Sequence, residues 1–305
     1  MSIPTGPRLL RGGPIAEEIR KSVAADVDDF RATYGHAPAL AVVMVGDDAP
    51  SSVYLHKILA GCRAVGIDDR RVALRVDAAA GRLREVIDEL NRDPCVAGVI
   101  VQMPLPPAIP QRVVIDTLDP SKDIDGIHPL NAGLLSLGDH GYLPATAHAA
   151  VEIMTRSGIE LAGKRAVVVG RSNVVGKPAA LLLLQQDATV TVCHSRTVDV
   201  AAETRRADIV VVAVGRAGFV TGRMLKPGAI VVDVGINVVG DRVVGDVDES
   251  AYAVASAITP VPGGVGPLTN AILLTHLMHA ARRQSQNLRA LGSVKAVYAT
   301  METTR

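Results

Sequence analysis

The stretch from Gly163 to Leu184, GKRAVVVGRSNVVGKPAALLLL, restricts the fold more than any other part of the chain. Ala166 to Val169 are apolar and mostly β-branched, the composition of a strand buried on both faces. Gly170 ends that run, and the polar turn Arg171-Ser172-Asn173 carries the chain to Gly176. Lys177-Pro178 then opens an apolar helical segment, where a first-turn proline gives up no hydrogen bond. Strand, glycine turn and helix N-terminus in that order place free backbone N–H groups where an anion can sit. The sequence therefore predicts a phosphate-binding turn in a parallel α/β sheet. The alternative is a Rossmann-like turn that only packs.

Two phosphate motifs compete for this turn. The Walker A loop, G-x-x-x-x-G-K-[ST], fails because Gly170 and Gly176 stand one residue too far apart and Pro178 replaces the magnesium-binding hydroxyl. The dinucleotide fingerprint G-x-G-x-x-G is not met in full, since Ser172 occupies its middle glycine position. A second strand, Thr189 to Cys193, follows after a single helix, and that context favours a dinucleotide. NAD-binding chains close this strand near an acid that holds the ribose hydroxyls. Here it closes with His194-Ser195-Arg196. A hydroxyl and a guanidinium, with Arg171 in the first turn, suit a 2′-phosphate, so the residues predict NADP as cofactor.

At 305 residues the chain has room for two domains with cores of their own. A formal net charge of +1 and an aromatic content of 2% offer no basic, stacking surface to nucleic acid. Cys62, Cys95 and Cys193 are isolated and form no C-x-x-C pair. No disulfide framework and no metal site is expected, and a reducing, cytoplasmic setting fits. No apolar run reaches membrane-spanning length, and the first residues lack the continuous apolar core of a leader.

Periodicity predicts helices over 14–33, 52–65, 83–91 and 147–157, and from 268 to about 283. Strands are expected over 40–45, 72–76, 96–101, 208–214 and 229–234. Strands alternating with helices imply βαβ units and a mainly parallel sheet. Residues after Gln284 are polar without a clear period and read as a frayed or swapped tail.

The stretches VGDDAPSSVY, GVIVQMPLPP, KDIDGIHPLN, VVVGRSNVVGKP, TVCHSRT, KPGAIVVDVGIN, GDVD and ITPVPGGVGPLT are specific in combination. In them the chain resembles the bifunctional methylenetetrahydrofolate dehydrogenase/methenyltetrahydrofolate cyclohydrolase family, from about Leu9 to Leu277. The resemblance implies a two-domain α/β chain. Residues 1–146 plus 268–305 would form the N-terminal folate domain, to which the C-terminal helix returns. Residues 147–267 would form a Rossmann-like NADP-binding domain with a mainly parallel sheet. It also implies a folate substrate and a homodimer. Tyr54 resembles the tyrosine that stacks on the folate ring, Gln102 the glutamine that bonds the catalytic lysine, and Asp125 the aspartate that holds the pterin nitrogens. Pro262, Gly263 and Gly264 resemble the loop lining the cleft, while Gly170, Arg171, Ser172, Ser195, Arg196, Val214, Gly215, Gly235 and Ile236 match the cofactor contacts.

One departure bears on chemistry. The resemblance places a lysine four residues after the tyrosine, on the same helix face. That position is Ile58, and Lys57 stands one residue earlier, about 100° round the helix. The catalytic candidates are thus Tyr54, Lys57, Gln102 and Asp125, with Ile58 among the residues against substrate. Oxidising methylenetetrahydrofolate leaves a cation shared by two substrate nitrogens, so the protein mainly positions donor and acceptor. Hydrolysing the methenyl product calls for general acid–base help, worth roughly two to four orders of magnitude, and isoleucine supplies none. The expected function is an NADP-dependent dehydrogenase with weak or lost cyclohydrolase activity. The alternatives are a full bifunctional enzyme using Lys57, a specialised enzyme passing the one-carbon unit to a non-folate acceptor, and a non-catalytic binding paralogue.

Overall fold

The computed structural model describes residues 6–46, 49–139 and 141–303, with the side chains of 49–54, 288 and 290–303 outside the description. In chain order the elements are β1 (Arg8–Leu9), α1 (Gly12–Tyr34), β2 (Ala39–Val45), α2 (Ala49–Ala64), β3 (Asp68–Leu74), α3 (Ala80–Arg92) and β4 (Val96–Val101). Then come α4 (Arg112–Thr117), α5 (Pro129–Leu137), α6 (Ala145–Arg156), β5 (Arg165–Val169), α7 (Gly176–Gln185), β6 (Thr189–Cys193), α8 (Val200–Thr204) and β7 (Ile209–Val212). The chain closes with β8 (Ile230–Asp233), β9 (Asn237–Val239), β10 (Arg242–Val244), β11 (Ala257–Ile258) and α9 (Val265–Thr303). No described helix is long and apolar enough to cross a membrane.

The chain forms two compact α/β units. One comprises Met1–Ile19 with Pro129–Ile272, and the other Arg20–His128 with Leu273–Arg305. The sequence division put 1–146 with 268–305; here Arg8 and Leu9 pair with Ala257 and Ile258, which ties the N-terminal segment into the larger sheet.

That sheet has the order β1-β11-β8-β7-β5-β6 and is parallel throughout. Val167 of β5 lies between Thr191 of β6 and Val210 of β7. The β-branched runs of β5, β7 and β8 are buried on both faces, as central parallel strands require. Strand order reverses between β5 and β7, so the carboxyl ends of these strands face a topological switch point, where ligands bind in open α/β sheets. β9 and β10 form a separate antiparallel hairpin.

The other unit holds a three-stranded parallel sheet, β3-β2-β4. Ala41 and Val43 of β2 with Val99 and Val101 of β4 pack under Leu83, Val86, Ile87 and Leu90 of α3 and Val113 and Val114 of α4. The opposite face meets α9. A Cβ on Gly98 would stand 2.7 Å from both Leu277 and Ile124, so only glycine lets that helix come so close. Arg282 of α9 binds Asp26 and Asp29 of α1 at 3.0 Å, and Gln284 Nε2 donates to the Ala97 and Ser121 carbonyls. α9 is helical past Gln284 and its range continues to Thr303, where the sequence reading expected a frayed or swapped tail. Good helix formers and the absence of proline sustain it where amphipathic periodicity gives no signal.

Candidate functional site

The carboxyl ends of β5, β6, β7 and β8 carry the residues singled out for the cofactor. Gly170, Arg171 and Ser172 follow β5, Ser195 and Arg196 follow β6, Val214 and Gly215 follow β7, and Gly235 and Ile236 follow β8. The fold therefore gathers on one edge of one sheet residues that are widely spaced in the chain.

The turn after β5 is tight because three backbones meet there. Gly170 has φ +128°, and a Cβ on it would overlap the Ala213 carbonyl. A Cβ on Gly176 would overlap the Gly170 carbonyl. The structure corrects the expectation of free N–H groups at the start of α7. Ser172 Oγ accepts from the Val175 N–H at 3.1 Å and the Gly176 N–H at 3.3 Å, and the Ser172 carbonyl accepts from the Lys177 N–H at 3.0 Å. Pro178 has no N–H. The helix end is thus capped from within the turn, a hydroxyl-to-backbone motif that competes with any anion for those donors. The exposed side chains of Arg171 and Ser172 are polar groups this turn presents, beside Asn173, whose Oδ1 accepts from Lys177 Nζ at 2.8 Å.

At the end of β6 the backbone doubles back. The His194 N–H donates to Thr197 Oγ1 at 2.9 Å, and the Thr197 N–H donates to the His194 carbonyl at 2.9 Å. This turn lifts Ser195 and Arg196 to the surface. Arg171 and Arg196 are exposed and form no ion pair among the described residues. The nearest acid along the chain, Asp199, is engaged as the cap of α8, accepting from the Ala202 N–H at 2.9 Å. Two uncommitted guanidiniums beside a serine fit a phosphate monoester on a ribose and leave no carboxylate for a free 2′-hydroxyl.

Two buried carboxyl groups beside these loops escaped the sequence reading. Asp246 is fully buried and accepts from the backbone of Val214, Gly215 and Arg216, and Asp233 is buried at the end of β8. The available signal was an acid ending an otherwise apolar run, IVVD, and the repeated acids of GDVD. In the same unit the Gly12 N–H donates to the Gly263 carbonyl at 3.0 Å, which holds the Pro262-Gly263-Gly264 loop against the start of α1.

The remaining candidates belong to the other unit. Tyr54 lies on α2, with its side chain outside the described residues. Further along α2, Ile58 is 2% exposed among the core residues, whereas Lys57 is exposed to solvent. Gln102 follows the carboxyl end of β4, and its Nε2 donates to the Met103 carbonyl at 3.0 Å. Its amide is thus engaged by neighbouring backbone. Asp125 sits in the segment Lys122–His128, which Asp123 shapes by accepting from the Ile127 and His128 N–H groups at 3.2 and 2.7 Å. The Lys122 ammonium is buried and donates to the Leu90 and Asp93 carbonyls at the end of α3. Burial, with repulsion from Asp123, pushes the Asp125 carboxyl up to about 7. At neutral pH it is present in both protonation states, suited to donating to or accepting from a heterocycle nitrogen.

Comparison with known proteins gives a consistent result over nearly the whole chain. Residues 10–125 match the family model for the tetrahydrofolate dehydrogenase/cyclohydrolase catalytic domain, and residues 144–285 match its NAD(P)-binding domain. The bifunctional protein FolD of Bordetella petrii is 48% identical over 282 residues, covering 92% of this chain and 96% of that protein. The structure of the Campylobacter jejuni FolD methylenetetrahydrofolate dehydrogenase/cyclohydrolase superposes with a TM-score of 0.88 at 39% identity, covering 90% of this chain and 99% of that one. The Trypanosoma brucei dehydrogenase-cyclohydrolase, solved with NADP and an inhibitor, gives 0.89 at 36% identity, covering 93% and 99%.

Proposed function

Since the chain belongs to the tetrahydrofolate dehydrogenase/cyclohydrolase family, we propose that it oxidises 5,10-methylenetetrahydrofolate to 5,10-methenyltetrahydrofolate with NADP, and that its cyclohydrolase step is weak or lost. NADP, when bound, supplies the hydride acceptor. Arg171, Ser195 and Arg196 hold its 2′-phosphate, and the loops after β7 and β8 hold its nicotinamide half. Tyr54, Gln102 and Asp125 orient the folate, Asp125 by hydrogen bonding to the pterin nitrogens. The substrate nitrogens share the positive charge that hydride loss creates, so no strong base is called for and positioning carries the reaction. The protein acts as a homodimer in a reducing, cytoplasmic setting, in keeping with its three free cysteines.

The observation that carries the restriction on hydrolysis is the burial of Ile58. The position where the family resemblance expects an ammonium is an apolar side chain, 2% exposed, and Lys57 points to solvent one residue away. No amine remains on that face of α2 to carry a proton for water attack. The test is single-turnover decay of the methenyl chromophore in wild type, Ile58→Lys and Lys57→Met. Wild type is expected to form the chromophore with NADP and to hydrolyse it hardly faster than buffer, with partial recovery in Ile58→Lys. Rapid hydrolysis by wild type that vanishes in Lys57→Met would overturn the assignment and restore a full bifunctional enzyme. Absence of NADP reduction would overturn the dehydrogenase itself.

A further inference from the structure

Two carboxylates lie beneath the carboxyl-end loops of the large sheet, and neither forms an ion pair among the described residues. Asp246, 0% exposed, accepts through Oδ2 from the Val214 N–H at 2.6 Å and the Gly215 N–H at 2.8 Å. Its Oδ1 accepts from the Arg216 N–H at 2.8 Å and from Asn237 Nδ2 at 2.9 Å. Asp233 repeats the pattern one layer below. Its Oδ1 accepts from the Gly235 N–H at 2.9 Å and the Asp246 N–H at 3.0 Å, and its Oδ2 from the Val247 N–H at 2.9 Å. The Asp233 N–H in turn donates to Thr259 Oγ1 at 2.7 Å, at the start of the loop that runs to Gly264. Each carboxylate is thus solvated by amide donors instead of a cation, and through them the loops after β7, β8, β10 and β11 become one hydrogen-bonded body.

A buried charge is a costly way to hold an ordinary turn. Gly215 and Arg216 are exposed, and water would satisfy their N–H groups at no cost to the fold. What the carboxylate adds is direction. A trans peptide points its N–H and C=O oppositely, so drawing the N–H groups of Gly215 and Arg216 onto Asp246 turns the carbonyls of Val214 and Gly215 away from it. The loop then presents hydrogen-bond acceptors. Acceptors suit a carboxamide and repel a phosphate.

We propose that Asp246, underpinned by Asp233, is the positioning residue for the nicotinamide half of the cofactor: it aims the Val214 and Gly215 carbonyls at the carboxamide while leaving the 2′-phosphate contacts to the loop after β6. The inference rests on the reading that these loops bind NADP, and the two can fail separately.

The test compares two ligands on the cofactor-free protein by calorimetry: NADP, and adenosine 2′,5′-bisphosphate, which keeps the 2′-phosphate and lacks the nicotinamide. In Asp246→Asn an NH2 group must face donors that now meet an oxygen. NADP is expected to weaken at least tenfold and the bisphosphate to stay within twofold, with faster amide exchange at Val214, Gly215 and Arg216. Equal weakening of both ligands would show a merely structural role and overturn the proposal, as would an unchanged NADP affinity. Should Asp246→Asn not fold, Asn237→Ala decides, because it removes one donor and leaves the three backbone N–H groups in place. NADP is expected to weaken two- to fivefold, and an unchanged NADP affinity there overturns the proposal. Wild-type protein that binds neither ligand would instead remove the cofactor reading beneath it.

Discussion

The turn after β5 gives Ser172 two separable duties, and two substitutions divide them. Its hydroxyl caps α7 by accepting from Val175 and Gly176, and it stands on the surface where the cofactor phosphates are proposed to lie. Ser172→Ala removes the cap. Losing a hydroxyl acceptor of backbone N–H groups costs about 0.5–1.5 kcal/mol, and with one of the two N–H groups open to water the effect belongs in the lower half of that range. In a unit of this size that is a fall of roughly 2–4 °C in Tm. Ser172→Asp keeps an oxygen acceptor for those N–H groups, since Asp like Ser accepts from backbone N–H groups a few residues on, and its charge suits a helix N-terminus. Its Tm is expected within about 1 °C of wild type. Its carboxylate, however, faces phosphates. Like charges about 4 Å apart near a protein surface repel by up to ~4 kcal/mol before screening, so NADP affinity should fall by more than about tenfold. Ser172→Ala should lose less, roughly two- to tenfold, the worth of one neutral hydrogen bond. Thermal melts without cofactor and calorimetric titration with NADP read the two duties independently. Wild-type NADP affinity in Ser172→Asp would refute the phosphate assignment, and an unchanged Tm in Ser172→Ala would refute the capping argument.

Removing the Arg196 guanidinium by Arg196→Ala should weaken NADP by about 1.5–3 kcal/mol and leave NAD within twofold, as titration of both would show; equal losses would mean that Arg196 does not read the 2′-phosphate. Asp125 links stability to pH. Its carboxyl titrates at about 7 in the folded chain against 3.8 unfolded, so between those values the folded state keeps a proton that the unfolded state has lost. Its contribution therefore falls as pH rises from about 4 to 7 and is flat above. Asp125→Asn should flatten that slope in urea midpoints measured from pH 4 to 8, and at pH 8 should be more stable by on the order of 2 kcal/mol, less than full linkage because Asp125 is partly exposed. An unaltered slope would place the carboxyl in an ordinary, solvated environment.

The parts of this fold that were legible in the sequence are those that bury apolar side chains on both faces. β5, β7 and β8 were placed to within two residues, because a central parallel strand has no solvent side to blur its composition. β6, the exposed edge strand, was found at its observed limits from its β-branched run between the α7 helix and the His194-Ser195-Arg196 turn. β3 was displaced, from 68–74 to 72–76, because Asp68, Asp69, Arg70 and Arg71 sit on an edge strand whose pairing asks nothing of its side chains. β1 left no trace, since two residues carry no periodicity. Within the candidate site, the turns carrying Arg171, Ser195 and Arg196 were legible from the glycine turn and the missing acid at the end of β6. The inward use of the α7 donors by Ser172 was not, because a serine that binds phosphate and a serine that caps a helix look alike in one dimension. Asp233 and Asp246 were hidden for a different reason: their partners are backbone amides, which leave no letter in a sequence.

The pairing of Arg8 with Ala257 also sets an order of events for synthesis. β1 is made well before β11, its neighbour in the sheet, and closing a loop of that span costs on the order of 5 kcal/mol in chain entropy. Leu273 onward, which completes the other unit, emerges later still. Neither unit is a contiguous stretch of chain, so the common course in which an N-terminal domain folds while the next is being made is closed to this protein. The face of β2 and β4 under α3 and α4 can close within residues 39–118, but the opposite face, where Gly98 meets Leu277, stays uncovered until α9 is made. Holding chaperones would find their work here early in translation, and a stop codon placed shortly before α9 would leave two incomplete units in place of one finished domain.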